Sequence, residues 1–164
     1  MPDILLSTLN AKYIHASLGL RYLLANLAEL RNRAVLLEFD INQRPLDIAE
    51  AMIAQNPRVI GLGVYIWNVT ETTEVVAALK RIRPELIVVL GGPEVSFEME
   101  QQEIVRLADH VITGEADLKF AAVCRELLSD PAPVSQLPKI IPADLPKLED
   151  LTLPYDCYSE EDHL

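Results

Sequence analysis

Apolar residues along this chain fall into two alternating patterns. Short continuous aliphatic runs occur at 4–6, 34–39, 59–64, 86–90 and 111–112. Such runs suit strands covered on both faces, as in a parallel sheet, because a half-exposed strand would alternate apolar with polar positions. Between the runs, apolar residues recur every three or four positions. The first such set is Leu20, Leu23, Leu24, Leu27 and Leu30, and the second is Ile48, Met52 and Ile53. Then come Val75, Val76, Leu79 and Ile82, followed by Phe97, Ile104 and Leu107, and last by Phe120, Val123, Cys124 and Leu127. Each set lays one stripe along a helix. Asn68, three residues before Glu71, is expected to start the third helix, its side chain accepting from first-turn amides. Pro45 and Pro84 stand where helices begin or end.

Strict alternation of five strands with five helices predicts a doubly wound α/β fold with a parallel sheet. If the first helix covers one face and later helices the other, the strand order is 2-1-3-4-5, the flavodoxin-like, Rossmann-like arrangement. Its ligand crevice lies outside the carboxyl ends of strands 1 and 3, where the winding reverses. Candidate chemistry is therefore sought at residues 7–16, 63–70, 91–97 and 113–117.

Composition changes this picture at the carboxyl end. Among the 164 residues, 14 Lys and Arg face 25 Asp and Glu, a net charge of −11. Six of those net charges come from 129–164, which also holds six of the eleven prolines. Residues 1–128 are thus expected to be the folded unit, with 129–164 an extended, acidic, Pro-rich linker or tail. So acidic a chain is repelled by phosphate backbones and anionic lipid, which argues against nucleic-acid and membrane-surface partners. No apolar run approaches the roughly 18 residues that span a bilayer. Two cysteines, Cys124 and Cys157, are too few for a disulfide framework, and Met1-Pro2-Asp3 lacks the basic start of a secretory signal. A reducing, cytoplasmic setting is expected.

Glycine is scarce, yet five of the six residues lie in or beside the expected strand ends: Gly61, Gly63, Gly91, Gly92 and Gly114. Glycine weakens a strand, so its use there points to close approach by a ligand or by another backbone. Tight turns and helix packing are the other explanation. The loop after the first strand, Ser7-Thr8-Leu9-Asn10-Ala11-Lys12, has no glycine, which excludes a dinucleotide fingerprint and a P-loop. A phosphoacceptor site would need clustered aspartates where Ser7-Thr8 and Tyr65 stand. Neither cysteine has a Cys or His partner at metal-ligand spacing. No nucleophile–base pair suggests a hydrolase. What remains is Tyr13, His15, Tyr65, Trp67 and Asn68 on the first and third loops, a set suited to a large, flat, partly apolar ligand. Glu94 and Glu115 lie on the same loops, where solvation or an interaction with a helix N-terminus would also account for them.

Four passages in these loops are similar to the N-terminal cobalamin-binding domain of cobalamin-dependent radical SAM proteins. They are Leu9-Asn10-Ala11-Lys12-Tyr13-Ile14-His15-Ala16-Ser17-Leu18, Gly61-Leu62-Gly63-Val64-Tyr65-Ile66-Trp67-Asn68, Leu90-Gly91-Gly92-Pro93-Glu94 and Val111-Ile112-Thr113-Gly114-Glu115. Leu153-Pro154-Tyr155-Asp156 also resembles the linker leading into the radical SAM barrel. The resemblance implies cobalamin across the carboxyl edge of the sheet, its nucleotide arm beside strands 1, 3 and 4. Gly63, Gly91 and Gly92 would make room for the arm, with the backbone near Gly91 and Gly92 donating to it. Asn10, Tyr13, Pro93, Glu94, Gly114 and Glu115 would border the cofactor, and Tyr65 and Trp67 would pack on its apolar edges.

Methyltransferase and mutase relatives carry Asp-x-His-x-x-Gly after strand 1, whose His ligates cobalt. Here the positions read Tyr13-x-His15-x-x-Leu18, so His15 is the candidate cobalt ligand, without the usual aspartate and glycine. Radical SAM relatives commonly hold cobalamin with no protein histidine, which places His15 near the metal rather than on it. The implied parent enzyme joins this module in cis to a radical SAM domain with a 4Fe–4S cluster and S-adenosylmethionine, often for methyl transfer. The fragment itself carries no evident catalytic residue. The alternative is a degenerate doubly wound domain that packs against a partner, its crevice filled by side chains.

Overall fold

The structure is a computed structural model and describes residues 1–11, 16–129 and 136–163, the side chains of Glu161 and His163 excepted. Its elements alternate as the periodicity requires: β1 (Ile4–Asn10), α1 (Leu18–Ala25), β2 (Ala34–Asp40), α2 (Pro45–Ala54), β3 (Val59–Gly63), α3 (Val69–Ile82), β4 (Ile87–Gly91), α4 (Glu103–Leu107), β5 (His110–Thr113), α5 (Lys119–Leu127) and β6 (Ile140–Pro142). All strand pairs are parallel and the order is β2-β1-β3-β4-β5-β6. Five strands take the expected order. The sixth corrects the count: it comes from the Pro-rich segment, where Ile140 and Ile141 pair with Val111 and Ile112. Three residues ending in proline are too short to announce a strand, but an edge position tolerates the missing donor.

Helices α2, α3 and α4 bury Ile48, Met52, Val75, Val76, Leu79 and Ile104 against one face of the sheet. On the other face α1 and α5 bury Leu20, Phe120, Val123, Cys124 and Leu127. The local starts are legible: Ser17 caps α1 by accepting from Leu20 N at 3.3 Å, and Pro45 opens α2, where its absent N–H costs nothing. Three expectations need correction. The last helix, α5, shares the face of α1 instead of joining the other later helices, because the sheet carries β5 and β6 past β4 and leaves that face to be covered there. Leu27 and Leu30 lie beyond α1, at a 3₁₀ segment over Ala28–Arg33. The fourth stripe does not form one helix: Pro93–Val95 and Met99–Gln101 are 3₁₀ turns, α4 is short, and Phe97 is 76% exposed. Gly92 at φ +111° and Glu98 at φ +49° break any continuous helix there. Among the described residues, no helix is long and apolar enough to cross a membrane.

Candidate functional site

Strand register determines where the sheet is bare. On the face toward α1 and α5, the deepest row across β1, β3 and β4 is Ile4, Val59 and Ile87. The next is Leu6, Gly61 and Val89, and the row at the carboxyl ends is Thr8, Gly63 and Gly91. Gly61 is not bare, since a Cβ on it would sit 2.8 Å from the Phe120 ring, so α5 packs directly on this glycine. Gly91 differs: a Cβ there meets nothing nearer than Ile112 O at 4.0 Å. At Gly63 a Cβ would touch Thr8 Oγ1 and Tyr65 Cε2 at 3.4 Å, ordinary contact. Two neighbouring glycines on paired strands thus leave a slot.

That slot is the floor of a cleft of about 640 Å³ between α1, α5 and the strand ends. The volume lies within the range of roughly 300–1,000 Å³ usual for small-molecule sites. Its walls are Leu20 and Leu23 of α1 and Phe120 of α5, with Val89 and Ile112 from the sheet. Its rim is polar, with Ser96, Thr113, Glu115 and Asp117. Burial, together with the neighbouring Glu115 charge, pushes the Asp117 carboxyl above its ordinary range. An apolar slot with acceptors at its mouth suits a ligand with an apolar arm and outward-facing N–H or O–H donors.

The remaining glycines have backbone reasons. Gly92 adopts φ +111°, and a Cβ on it would lie 2.4 Å from Val64 O. There the ends of β3 and β4 are knitted together, Val64 N donating to Gly91 O at 2.8 Å. Gly114, at φ +82°, would meet Ala143 O at 2.9 Å, so it admits the chain leaving β6.

Of the site residues expected from sequence, Gly63, Tyr65, Gly91, Gly92, Pro93, Gly114 and Glu115 line this cleft. Tyr65 is half-buried, and burial raises its phenol pKa against the opposing effect of a hydrogen bond with Ser17. Its ring stacks on Trp67 at 4.4 Å between centroids and 6° between planes, with Trp67 49% exposed outside the cleft. Asn68 is the clearest correction. It precedes α3 but makes no side-chain cap; fully buried, it accepts from Tyr65 N at 2.8 Å and donates to Leu9 O at 3.0 Å and toward Thr8 Oγ1 and Gly63 O at 3.3 Å. It welds β1, β3 and the Tyr65 turn together and does not line this cleft.

Asn10 is likewise elsewhere, donating to Glu38 Oε1 at 3.1 Å. Glu94 borders a separate depression beside α3 and α4. Tyr13 and His15 lie outside the described residues. Among the described residues, no group of three or more His, Cys, Asp or Glu side chains could hold a metal ion. Sequence reading missed Leu20, Leu23 and Phe120, which sit on apolar stripes packed in or against the core and also border the cleft. It also missed Asp117 and Ser96, whose only signal was proximity to expected strand ends.

These residues fit the cofactor that the sequence resemblance implied, since the slot exists only because positions 63 and 91 lack a Cβ and its walls are apolar. Comparisons with known proteins agree. Residues 4–124 match the family model described as the B12 binding domain. The solved structure of a novel cobalamin-binding protein from Desulfitobacterium hafniense DCB-2 superposes with a TM-score of 0.56 and 22% identity, over 78% of this chain and 59% of that one. At that identity the likeness is one of fold, and this chain spans about three fifths of that protein's length. Comparison with curated proteins finds no match.

Proposed function

Because the chain belongs to the B12-binding domain family, we propose that it is the cobalamin-binding module of a radical SAM enzyme. The observation that carries the cofactor half of this reading is the open slot over Gly63 and Gly91. Leu20, Leu23, Val89, Ile112 and Phe120 would enclose an apolar arm there and exclude water from it. Tyr65, steadied by Trp67 and by Asn68 beneath, would flank the mouth. Ser96, Thr113, Glu115 and Asp117 would take its polar groups. When bound, cobalamin supplies a cobalt centre able to carry a methyl group; the protein's part is to hold and orient it.

The radical SAM half is supported by the passages quoted from the four crevice loops and by Leu153-Pro154-Tyr155-Asp156. In this reading residues 1–128 carry the cofactor site. Residues 129–164 lead on to a cytoplasmic barrel that holds the iron–sulfur cluster and S-adenosylmethionine. A cofactor-free packing module would have a crevice plugged by side chains, and the open cleft favours the cofactor instead. Titration of the folded protein with hydroxocobalamin tests the first half: saturable change in the visible bands is expected, and none would overturn it. Coding sequence following Leu164 tests the second, with a Cys-x3-Cys-x2-Cys motif expected and an unrelated domain overturning it.

A further inference from the structure

The cleft wall formed by α1 is braced from behind. Gly19, Leu20 and Leu23 face the cleft. Arg21 lies roughly across the helix from Gly19 and Leu23 and is 3% exposed, an unusual place for a guanidinium. Its Nη1 lies 2.9 Å from Glu38 Oε2 and donates to Ser17 O at 3.0 Å. Its Nη2 donates to Asp162 Oδ1 at 2.8 Å, and the Tyr158 ring lies 4.9 Å from its Cζ. Glu38, at the end of β2, also accepts from Ser17 N at 2.6 Å and from Asn10 Nδ2 at 3.1 Å. One carboxylate therefore holds the last residue of β1 and the cap of α1, and Arg21 joins that carboxylate to the carboxyl-terminal segment.

That segment follows the outer side of α1 and the turn beyond it. Asn26 and Thr152 exchange two hydrogen bonds at 2.8 and 3.0 Å, and Arg31 pairs with Asp156 at 3.1 Å. Asp162 is itself fixed by Ser159, whose N–H and hydroxyl donate to it at 2.7 and 3.1 Å. A buried guanidinium must be paired, and here part of its pairing comes from 141 residues away.

From this we infer that Arg21 is a positioning residue for the cofactor cleft, setting the place of α1 by engaging the segment from Thr152 to Asp162. The inference rests on the cobalamin reading. If the bound cofactor requires the braced position of α1, docking of the segment and binding in the cleft are linked, and each must strengthen the other by the same factor.

The test titrates the full chain with hydroxocobalamin in wild type, Asp162→Asn and Tyr158→Leu, and follows hydrogen exchange of amides 152–162 with and without it. These outer substitutions spare the Arg21–Glu38 pair, so the fold survives. Expected are a Kd weakened about fivefold or more, and slower exchange of 152–162 when hydroxocobalamin is added to wild type. Unchanged Kd in both variants overturns the inference. So does a weaker Kd with no ligand-dependent protection, which would mark a merely structural effect. If wild type itself binds no hydroxocobalamin, the cobalamin reading fails and this inference fails with it.

Discussion

Gly91→Leu separates the cleft from the stability of the fold. Gly91 shares a face with Val89 and pairs with Gly63, and its Cβ direction is free to 4.0 Å. Its backbone φ is not in the left-handed region, so a side chain imposes no strain. Replacing a strand glycine should stabilise the fold by about 0.5–1 kcal/mol. The leucine side chain, however, would stand in the slot and displace about four carbon-sized groups of any ligand there. At about 0.8 kcal/mol for each, binding should lose about 3 kcal/mol, on the order of 100-fold in Kd. The assay is hydroxocobalamin titration by absorbance, paired with a urea melt. Gly92→Ala is the contrasting control. With φ +111° and a Cβ forced to 2.4 Å from Val64 O, it should cost about 1–3 kcal/mol of stability. Wild-type affinity in Gly91→Leu would falsify the assignment of this cleft, and a lower urea midpoint in that variant would show that the free direction had been misjudged.

Three further outcomes follow from the same structure. Asn68→Ala should destabilise the fold by about 3 kcal/mol, since Tyr65 N, Leu9 O and Gly63 O lose a buried partner; a urea midpoint within error of wild type would refute the welding role. Cys124, fully buried with its thiol pushed up to about 12 by burial, should resist a maleimide at pH 8 in the native protein, whereas Cys157, which is partly accessible, should label first; mass mapping of the labelled peptide decides. The raised carboxyl of Asp117 means that the folded state holds a proton more tightly than the unfolded one. Stability should therefore fall as pH rises from below 3.8 through the folded value. Asp117→Asn should flatten that slope and be more stable at pH 7, and a lower midpoint than wild type there would contradict it.

How much of this was legible depended on whether a residue's role was local. Strand and helix identity came from periodicity, which only the sheet and the nearest helix face have to satisfy; the order β2-β1-β3-β4-β5 rested on the doubly wound arrangement and holds although α5 lies on the face of α1. Gly63 and Gly91 were legible as candidates because a glycine at a strand end asks either for space or for a turn, and only the structure shows that here it is space. Gly61 carries the same signal, yet Phe120 fills its space from 59 positions along the chain, which no local pattern reveals. Asn68 misled for a similar reason. Its place before a helix is that of a cap, but its hydrogen bonds run to β1, some 60 residues earlier. The carboxyl-terminal segment was read as a linker from charge and proline content. Two of its acids, Asp156 and Asp162, turn out to be partners of arginines in and just beyond α1, which composition cannot show.

The division of the sheet face into rows explains how one small domain can keep an open cleft and still fold. Ile4, Val59 and Ile87, then Leu6 and Val89 with Phe120 over Gly61, fill the deeper rows and supply the apolar burial on which stability rests. Only Gly63 and Gly91 of the last row are left bare, and there the backbone is held by other means. Thr8 Oγ1 donates to Gly63 O at 2.9 Å, Asn68 ties the two strands from beneath, and Val64 N reaches across to Gly91 O. Polar bonds thus do at the rim what packing does below it. On this account, filling the slot at Gly91 leaves the fold standing and empties the cleft of ligand, whereas cutting the bonds of Asn68 loosens the rim first. Hydrogen exchange should show the difference, with Asn68→Ala releasing amides 63–68 before those of Ile4 to Leu6. Simultaneous release of both sets would mean that rim and core unfold as one unit and that the rows are not separate supports.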